Sequence, residues 1–271
     1  MPKKGLAWLI LLTVLVLLAA VALDQRLIVR SYRVESGKLE KVVRIAVLSD
    51  WHGCNDGEEI LQTVAALSPD AILLAGDMFS ADGNSSEELQ VFRQLDEIAY
   101  TYYVTGNHET WEFEIPHLLE MIAATGVTVV EQTCVSLMID GQRINICGVP
   151  DPCAGEDAEV ALNRAADAIR HDAFTILMAH RPEEIGTYAP MDAFDLVVSG
   201  HAHGGQIRIP FLVNGLYAPN QGLLPQYAGG MYEVDGTVLI VSRGLSTQRQ
   251  WGIPRIFNRP EVLLIELMPQ I

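Results

Sequence analysis

Five short apolar stretches of this chain each end in side chains that can bind a metal ion or move a proton. These side chains are Asp50 with His52, Asp77, Asn107 with His108, His180, and His201 with His203. The chain has seven histidines, and all but His117 and His171 fall at these positions. Carboxylates and imidazoles together suit divalent ions such as Mn, Fe, Zn or Co. The set is too large for one ion, so the pattern predicts a site for two.

Two ions held about 3.5–4 Å apart can clamp the attacking and the leaving oxygen of a displacement at phosphorus. One carboxylate must bridge them. Asp77 is the best candidate because it stands alone after its apolar stretch. Taken by itself, Gly200-His201-Ala202-His203-Gly204 is a weak signal, since two ordinary loop histidines can have the same spacing. Its glycines do allow the sharp turn and close approach that a ligand site needs.

The apolar stretches have the composition of buried β-strands, and helical patterns lie between several of them. The predicted strands are Val42–Leu48, Ala71–Ala75, Tyr102–Val104, Val127–Val130, Phe174–Met178 and Leu196–Val198, and the predicted helices are Glu58–Leu67, 85–98, Pro116–Ala124 and Glu156–Arg170. A hairpin over 135–139 and 143–147 turns at Asp140-Gly141, and the tail adds strands at Gln206–Ile209, Met231–Val234, Val238–Val241 and Val262–Leu267. Alternating strands and helices predict an α/β sheet. Functional side chains in such sheets collect at the carboxyl ends of the strands.

The order of the motifs resembles that of the calcineurin-like metallophosphoesterase family. Asp-x-His, Gly-Asp, Gly-Asn-His-Glu, a lone His and Gly-His-x-His follow one another between Asp50 and His203. The resemblance covers about residues 43–267. It implies an α/β fold, the two-sheet αββα sandwich of that family, in which the strand-rich tail would complete the second sheet.

The resemblance also implies a role for each side chain. The first ion would be bound by Asp50, His52, Asp77 and His203, and the second by Asp77, Asn107, His180 and His201. His108 would bind no metal and would instead donate a hydrogen bond, and a proton, to the leaving oxygen. The implied activity is hydrolysis of a phosphoester or diphosphate with two divalent ions, for which Mn, Fe and Zn are the candidates.

Four stretches resemble the bacterial membrane-anchored or exported branch of this family, namely 179–183, 200–206, 241–244 and 258–261. Because some members of that branch act on lipid-linked sugar diphosphates, the resemblance implies a phosphorylated small molecule or lipid as substrate. Two alternatives stay open. One is a broad phosphodiesterase for small soluble substrates, and the other is a membrane-anchored metal-binding module that no longer turns over.

The N-terminal segment has the composition of a membrane helix. Leu6–Leu23 carries no charge, and a helix of this length extends about 27 Å, which is enough to cross a bilayer core. Lys3 and Lys4 before it, and the triplet Ala20-Val21-Ala22, also fit a cleaved signal peptide. We therefore expect an anchor or signal peptide over 1–24, a linker or edge strand over 25–42, and the catalytic domain over 43–271.

Charges beside this segment bear on its orientation. The two lysines favour a cytoplasmic N-terminus, which would make the protein a single-pass cell-membrane protein with an extracytoplasmic catalytic domain. Arg26, Arg30 and Arg33 follow the segment and favour the opposite orientation. The extracytoplasmic placement is the expectation.

The formal net charge is -16, which argues against nucleic acid as a partner because a strongly acidic chain repels a polyanion. Residues 204–271 differ, with five basic and four acidic side chains. Arg243, Arg249, Arg255 and Arg259 lie there as candidates for phosphate contacts, with a solvated surface as the alternative. Apolar and aromatic side chains of the same region would line a lipid tail or form core; they are Tyr217, Leu223, Leu224, Tyr227, Trp251, Ile253 and Phe257.

The four cysteines, Cys54, Cys134, Cys147 and Cys153, match no zinc or redox spacing. We expect them to form no disulfide. The alternative is a Cys147–Cys153 bridge if the domain faces an oxidising compartment. The sequence leaves the oligomeric state open.

Overall fold

The computed structural model describes residues 3–54, 57–80, 85–155, 158–170, 172–249 and 252–270. The helices are α1 (Lys3–Ala22), α2 (Gly57–Leu67), α3 (Ser86–Ile98), α4 (Asn107–Glu112), α5 (Ile115–Ala123), α6 (Ala158–Asp167) and α7 (Ile185–Tyr188). The strands are β1 (Ile28–Ser36), β2 (Val43–Leu48), β3 (Ala71–Ala75), β4 (Tyr100–Val104), β5 (Thr128–Val129), β6 (Thr133–Ile139), β7 (Gln142–Gly148), β8 (Phe174–Met178), β9 (Leu196–Ser199), β10 (Tyr217–Ala218), β11 (Gly222–Leu223), β12 (Gly230–Val234), β13 (Thr237–Val241) and β14 (Glu261–Pro269).

Two six-stranded sheets dominate the fold. Their strand orders are β1-β14-β2-β3-β4-β5 and β12-β13-β9-β8-β7-β6, and β10 pairs with β11 in a separate ribbon. Strands β2, β3 and β4 are parallel neighbours in the first sheet, as β7, β8 and β9 are in the second. Each sheet therefore gathers several strand carboxyl ends along one edge.

Buried apolar clusters hold four layers together. Side chains such as Ile45 and Leu73 of the first sheet meet Ile146 and Ile176 of the second in the central cluster. Helices α2, α3 and α5 cover the outer face of the first sheet, and α6 and α7 cover that of the second. Burial of both faces explains why the central strands are almost continuously apolar. The expected αββα sandwich is confirmed.

The stretch expected as a linker or edge strand forms β1. Residues Ile28–Ser36 pair with β14 in parallel register, from Ile28 opposite Glu261 to Ser36 opposite Pro269. The linker alternative for 25–42 is therefore wrong for these residues. The sheet begins ahead of residue 43, because β1 covers the edge that β14 would otherwise expose.

The strand predicted over Gln206–Ile209 is wrong. Only isolated bridges occur there, Ile207 to Ile256 and Ile209 to Val213. Positive φ at Gln206 (57°) and Phe211 (67°) turns the chain out of an extended path. The predicted start of the Glu156–Arg170 helix lies outside the described residues, and α6 is the part that the structure describes.

Helix α1 is long and apolar enough to cross a membrane. Its Gly5–Ala22 window has a mean hydropathy of 2.7 and is 0% buried. An N-terminal signal sequence has the same properties. The end of α1 contacts the domain, since the Ala22 carbonyl accepts a 2.7 Å hydrogen bond from the Phe257 amide.

Cys134 and Cys147 form a disulfide. This finding corrects both expectations for the cysteines, because a bridge exists and the partner of Cys147 is not Cys153. The reason is the β6–β7 hairpin, whose register places Cys134 directly opposite Cys147. Cys54 and Cys153 form no disulfide.

We expect Cys134→Ser to lower the free energy of unfolding by about 3 kcal/mol, since the bridge closes a short loop in the unfolded chain. Urea unfolding of the full chain in detergent, with and without reductant, measures this. Cys153→Ser is the matched control and should unfold like wild type. If reductant left the wild-type midpoint unchanged, the stabilising role of the bridge would be refuted.

Candidate metal centre

The seven predicted donors lie at strand ends of both sheets. Asp50 and His52 follow β2, Asp77 follows β3, Asn107 begins α4 just after β4, His180 follows β8, and His201 and His203 follow β9. All seven are buried, none with more than 6% exposure. The structure therefore brings together residues that are up to 153 positions apart in the chain.

Two groups of buried donors share Asp77. One contains Asp50, His52, Asp77 and His203, and the other contains Asp77, His180 and His201; the donor atoms of each group lie within 4.8 Å of one another. Asp77 Oδ2 is 3.2 Å from His180 Nε2 and 3.9 Å from His52 Nε2. This arrangement is consistent with a binuclear divalent-metal site, and Asp77 is the residue that the two donor groups share.

One buried donor atom needs a partner that the described residues do not provide. Asn107 Oδ1 has no hydrogen-bond partner there, and His180 Nε2 has the Asp77 carboxylate beside it. Buried polar atoms left alone cost free energy, so such atoms mark places for a ligand. Asn107 also lines one cavity with Asp77 and His201. The donor types and these two atoms fit a pair of divalent ions.

Most of the donors adopt strained backbone conformations. Positive φ angles of 45–64° occur at Asp50, His52, Asp77, His201 and His203. Each such angle costs a residue with a Cβ about 1–2 kcal/mol, and strain of this kind concentrates at functional sites. Here it bends the chain after β2, β3 and β9, where these donors lie.

Two glycines give the donors room. A Cβ on Gly76, where φ is +86°, would lie 2.6 Å from His180 Nδ1. A Cβ on Gly200 would lie 2.5 Å from Asp50 Oδ2. Both distances are too short for a side chain, so the close packing of the site requires glycine at both positions.

Hydrogen bonds orient the imidazoles. His180 Nδ1 lies 2.7 Å from the Ala75 carbonyl, which can only accept, so Nδ1 carries a proton and Nε2, which faces Asp77, is the atom that could bind a metal. His201 Nε2 lies 2.9 Å from Asn220 Oδ1, which leaves Nδ1 of that ring free. Asp50 Oδ1 accepts the His201 amide at 2.8 Å.

The electrostatics favour the protonation states of a metal site. Burial lowers the pKa of His52 and of His201 to about 4, and it lowers the pKa of His203 well below its usual range. Burial alone would raise the pKa of Asp77, but His180 outweighs it and holds that pKa well below the usual value. Metal ligands must be deprotonated, as these four groups are at neutral pH.

His180 behaves differently. Burial would lower its pKa, but the Asp77 and Asp50 carboxylates outweigh burial and raise the pKa to about 10. Burial also raises the pKa of Asp50, to about 6. The two buried carboxylates are stabilised by a nearby positive charge. A proton on His180 supplies that charge, and a bound divalent cation would supply it instead.

Glu109 joins the loop after β3 to the segment after β4. Its Oε1 accepts the amides of Met78 and Phe79, and its Oε2 accepts those of Asp77 and Gly106, at 2.6–3.1 Å. This carboxylate is fully buried. It holds the loop after β3 against the start of α4, which places Asp77 beside Asn107.

We expect Glu109→Ala to lower the free energy of unfolding by at least about 3 kcal/mol, because four buried amides would lose their acceptor. The exposed Glu112 of the same helix supplies the control variant, Glu112→Ala. Chemical unfolding of the two variants side by side measures the difference. Equal stabilities would contradict the role assigned to Glu109.

A cavity of about 340 Å³ opens above the donors. His108, Trp111, Asn220 and Arg249 form part of its wall. The His108 ring meets His52 edge-on at 4.6 Å between centroids and lies 5.2 Å from the Trp111 ring. His108 belongs to neither donor group, so its half-buried ring faces the space where a substrate would bind.

The four arginines that are candidates for phosphate contacts lie in separate parts of the structure. Arg249 lines the metal cavity, and Arg243 lines a second cavity. Arg255 is 1% exposed and donates to the carbonyls of Arg243 and Gly244. Arg259 donates to the carbonyls of Arg26 and Leu27. They form no single phosphate-binding patch.

Sequence reasoning missed several residues around the donors. Asn220 pairs with His201, and Trp111 stands beside His108. Glu183 Oε1 lies 3.8 Å from His201 Nε2. No periodicity surrounds Asn220, which lies in an irregular loop, so only its tolerance for positive φ (59° here) hinted at a turn.

The family profile of the calcineurin-like phosphoesterases matches residues 43–205, which include every predicted donor. The chain belongs to this family. A metallophosphoesterase of Helicobacter pylori (strain J99) is 31% identical over 86% of this chain and 62% of its own length. Phosphodiesterase YaeI of Escherichia coli is 29% identical over 74% of this chain and 71% of its own.

The fold of this calcineurin-like phosphoesterase also occurs in solved structures. The 5'-nucleotidase precursor of Thermus thermophilus superposes with a TM-score of 0.56 at 13% identity, over 84% of this chain and 54% of the other. This likeness concerns the fold. The chain spans less than two-thirds of the length of the H. pylori relative.

Proposed function

We propose that this phosphoesterase-family protein hydrolyses phosphoesters or diphosphates with two divalent ions. The observation that carries the proposal is the pair of buried donor groups sharing Asp77 at the floor of one cavity. In this proposal the first ion is bound by Asp50, His52, Asp77 and His203, and the second by Asp77, Asn107, His180 and His201. Mn, Fe and Zn suit this mixture of oxygen and nitrogen donors.

When bound, two such ions supply an acidified water nucleophile and neutralise charge on the phosphoryl oxygens. The chain supplies the remaining parts. His108 protonates the leaving oxygen from the cavity wall, and Glu109 holds the start of α4 in place by accepting the Gly106 amide. Arg249 at the rim contacts a phosphate of the substrate.

We further propose that the substrate is membrane-proximal, a phosphorylated lipid or a lipid-linked diphosphate. Support comes from α1 and its contact at Phe257, which tie the domain to a membrane-length helix. In this proposal residues 6–23 anchor the protein and the domain lies outside the cytoplasm. Orientation is tested with reporter fusions at the C-terminus.

Hydrolysis of a chromogenic phosphodiester and a chromogenic phosphomonoester, by the full chain in detergent with added Mn, tests the activity. We expect turnover that chelator abolishes and Mn restores. If the chain binds two metals but turns over neither compound nor a dispersed lipid diphosphate, the result would favour a metal-binding module without catalytic activity. A gain with the lipid diphosphate over the soluble compounds supports the membrane-proximal substrate, and equal rates favour a broad phosphodiesterase.

We expect the full chain to stay in the membrane fraction after a high-salt wash, because a helix of this length and hydropathy is held by burial in the bilayer and not by charge. Immunoblotting of the washed membranes measures this. A shorter mature protein in the soluble fraction would instead show that residues 1–24 are a cleaved signal peptide.

A further inference from the structure

A second cavity, of about 580 Å³, lies next to the end of α1. Among the described residues it shares no lining residue with the metal cavity. Three arginines line it: Arg30 from β1, Arg208 after the His203–Gly205 turn, and Arg243 after β13. They come from distant parts of the chain and converge on one space.

The arginines outnumber the acidic groups that face them. Glu261 is fully buried, and its Oε2 lies 3.0 Å from Arg30 Nε and 3.5 Å from Arg243 Nε. Arg208 bonds only neutral acceptors among the described residues, the Gly204 carbonyl at 3.2 Å and Asn214 Oδ1. Three guanidinium groups therefore meet one carboxylate, and two positive charges remain without a counter-charge at this cavity.

Burial makes this excess of charge costly. Burial and the neighbouring Arg243 lower the pKa of Arg208 to about 10, and burial lowers the pKa of Arg243. Arg243 Nε is buried and makes no hydrogen bond among the described residues, although the shared Glu261 carboxylate lies 3.5 Å away. An anion in the cavity would offset the buried positive charge of Arg208 and Arg243 and would accept a hydrogen bond from Arg243 Nε. A phosphate suits this role because its oxygens match the two parallel N–H groups of a guanidinium.

Phe211 and Leu212, here called the apolar tip, lie beside the arginines. Ile209 and Val213 bond each other's backbone in both directions, at 3.0 and 2.8 Å, which pushes Phe211 and Leu212 out at the turn. These two side chains are 106% and 82% exposed. Large apolar side chains this exposed, next to cationic groups, are typical of membrane-surface segments.

The position of the cavity relative to α1 identifies the partner. Phe257 lines the cavity, and its amide bonds the carbonyl of Ala22, the last residue of α1. Arg30 follows that helix by eight residues. The arginines and the apolar tip therefore lie where α1 leaves the bilayer, at the level of the lipid headgroups.

We propose that Arg30, Arg208 and Arg243 bind the phosphate of an anionic membrane phospholipid, with Phe211 and Leu212 inserted among its acyl chains. This site is separate from the metal centre and orients the domain on the bilayer. The proposal rests on the proposed anchoring by α1 and is independent of the hydrolase activity.

Native mass spectrometry of the full chain in detergent, with phosphatidylglycerol or phosphatidylcholine of matched chains, tests the headgroup. We expect preferential phosphatidylglycerol adducts and about tenfold weaker binding in Arg208→Gln, from the loss of one charge-assisted contact. Arg33→Gln is the matched control, because Arg33 lies on β1 with Arg30 but pairs with Glu266 outside the cavity. Equal adducts in folded Arg208→Gln and wild type would overturn the proposal, as would displacement of the lipid by an equal concentration of inorganic phosphate.

A second measurement stands if Arg208→Gln fails to fold. Phe211→Trp is placed in nanodiscs that contain lipids brominated near the headgroup, and its fluorescence is compared with that of Met138→Trp. Met138 is also exposed, at 54%, but lies on β6 at the far edge of the second sheet. The native tryptophans, including Trp8 in α1, contribute equally to both variants, so we expect stronger quenching in Phe211→Trp than in Met138→Trp. The absence of a difference between the two would refute the insertion of the tip.

Discussion

Asp77→Asn is expected to lose both metal ions and to lower phosphodiester hydrolysis by more than about 100-fold. Loss of a residue that only supports a metal ligand already lowers activity by up to about 100-fold, and loss of a ligand should lower it further. Asp77 is the one residue common to both donor groups. The asparagine keeps an oxygen for the 2.8 Å bond from the His108 amide. It removes the negative charge that two cations would share, so neither ion keeps its affinity.

Metal analysis of the purified full chain and hydrolysis of a chromogenic phosphodiester measure the two effects together. Asn107→Ala is the comparison variant, because the proposed binding scheme uses Asn107 only at the second ion, so this variant should lose that ion alone. Far-ultraviolet circular dichroism confirms that both variants fold. Two ions per chain in folded Asp77→Asn would rule out the bridging position of this carboxylate.

The donors were predictable from the sequence because their positions depend on local rules. Each follows a short apolar run, and parallel strands such as β2 and β3 end at one edge of a sheet. The meeting of the two sheet edges is not a local property. The sequence indicated this meeting only through the order of the motifs, which resembles that of a known family. In the structure the two edges bring Asp77 and His180 within 3.2 Å of each other.

The residues that the sequence did not predict depend on contacts between distant segments. Asn220 reaches His201 from an irregular loop, and Arg30, Arg208 and Arg243 converge from three elements. No periodic pattern marks such residues, since their neighbours are set by the path of the whole chain. The Cys134–Cys147 bridge is a different case. Cys134 lies one residue before the predicted hairpin strand, and only the register of the folded hairpin places it opposite Cys147.

His108→Ala is expected to keep both ions while kcat falls by about 10²–10⁴-fold, the usual contribution of a positioned general acid. The ring lines the cavity and belongs to neither donor group. Only its backbone amide supports Asp77, and that amide remains in the alanine variant. Loss of metal in this variant would place His108 among the ligands instead.

The leaving group distinguishes proton donation from a merely structural role. A nitrophenolate departs without a proton, whereas an alkoxide from an alkyl phosphodiester needs one. The alanine variant should therefore lose much more rate on the alkyl substrate than on the nitrophenyl substrate. His117→Ala, an exposed histidine of α5, is the control and should leave both rates unchanged. Equal losses on the two substrates would mean that His108 acts on binding or position, because a general acid contributes only as far as its proton is needed in the transition state.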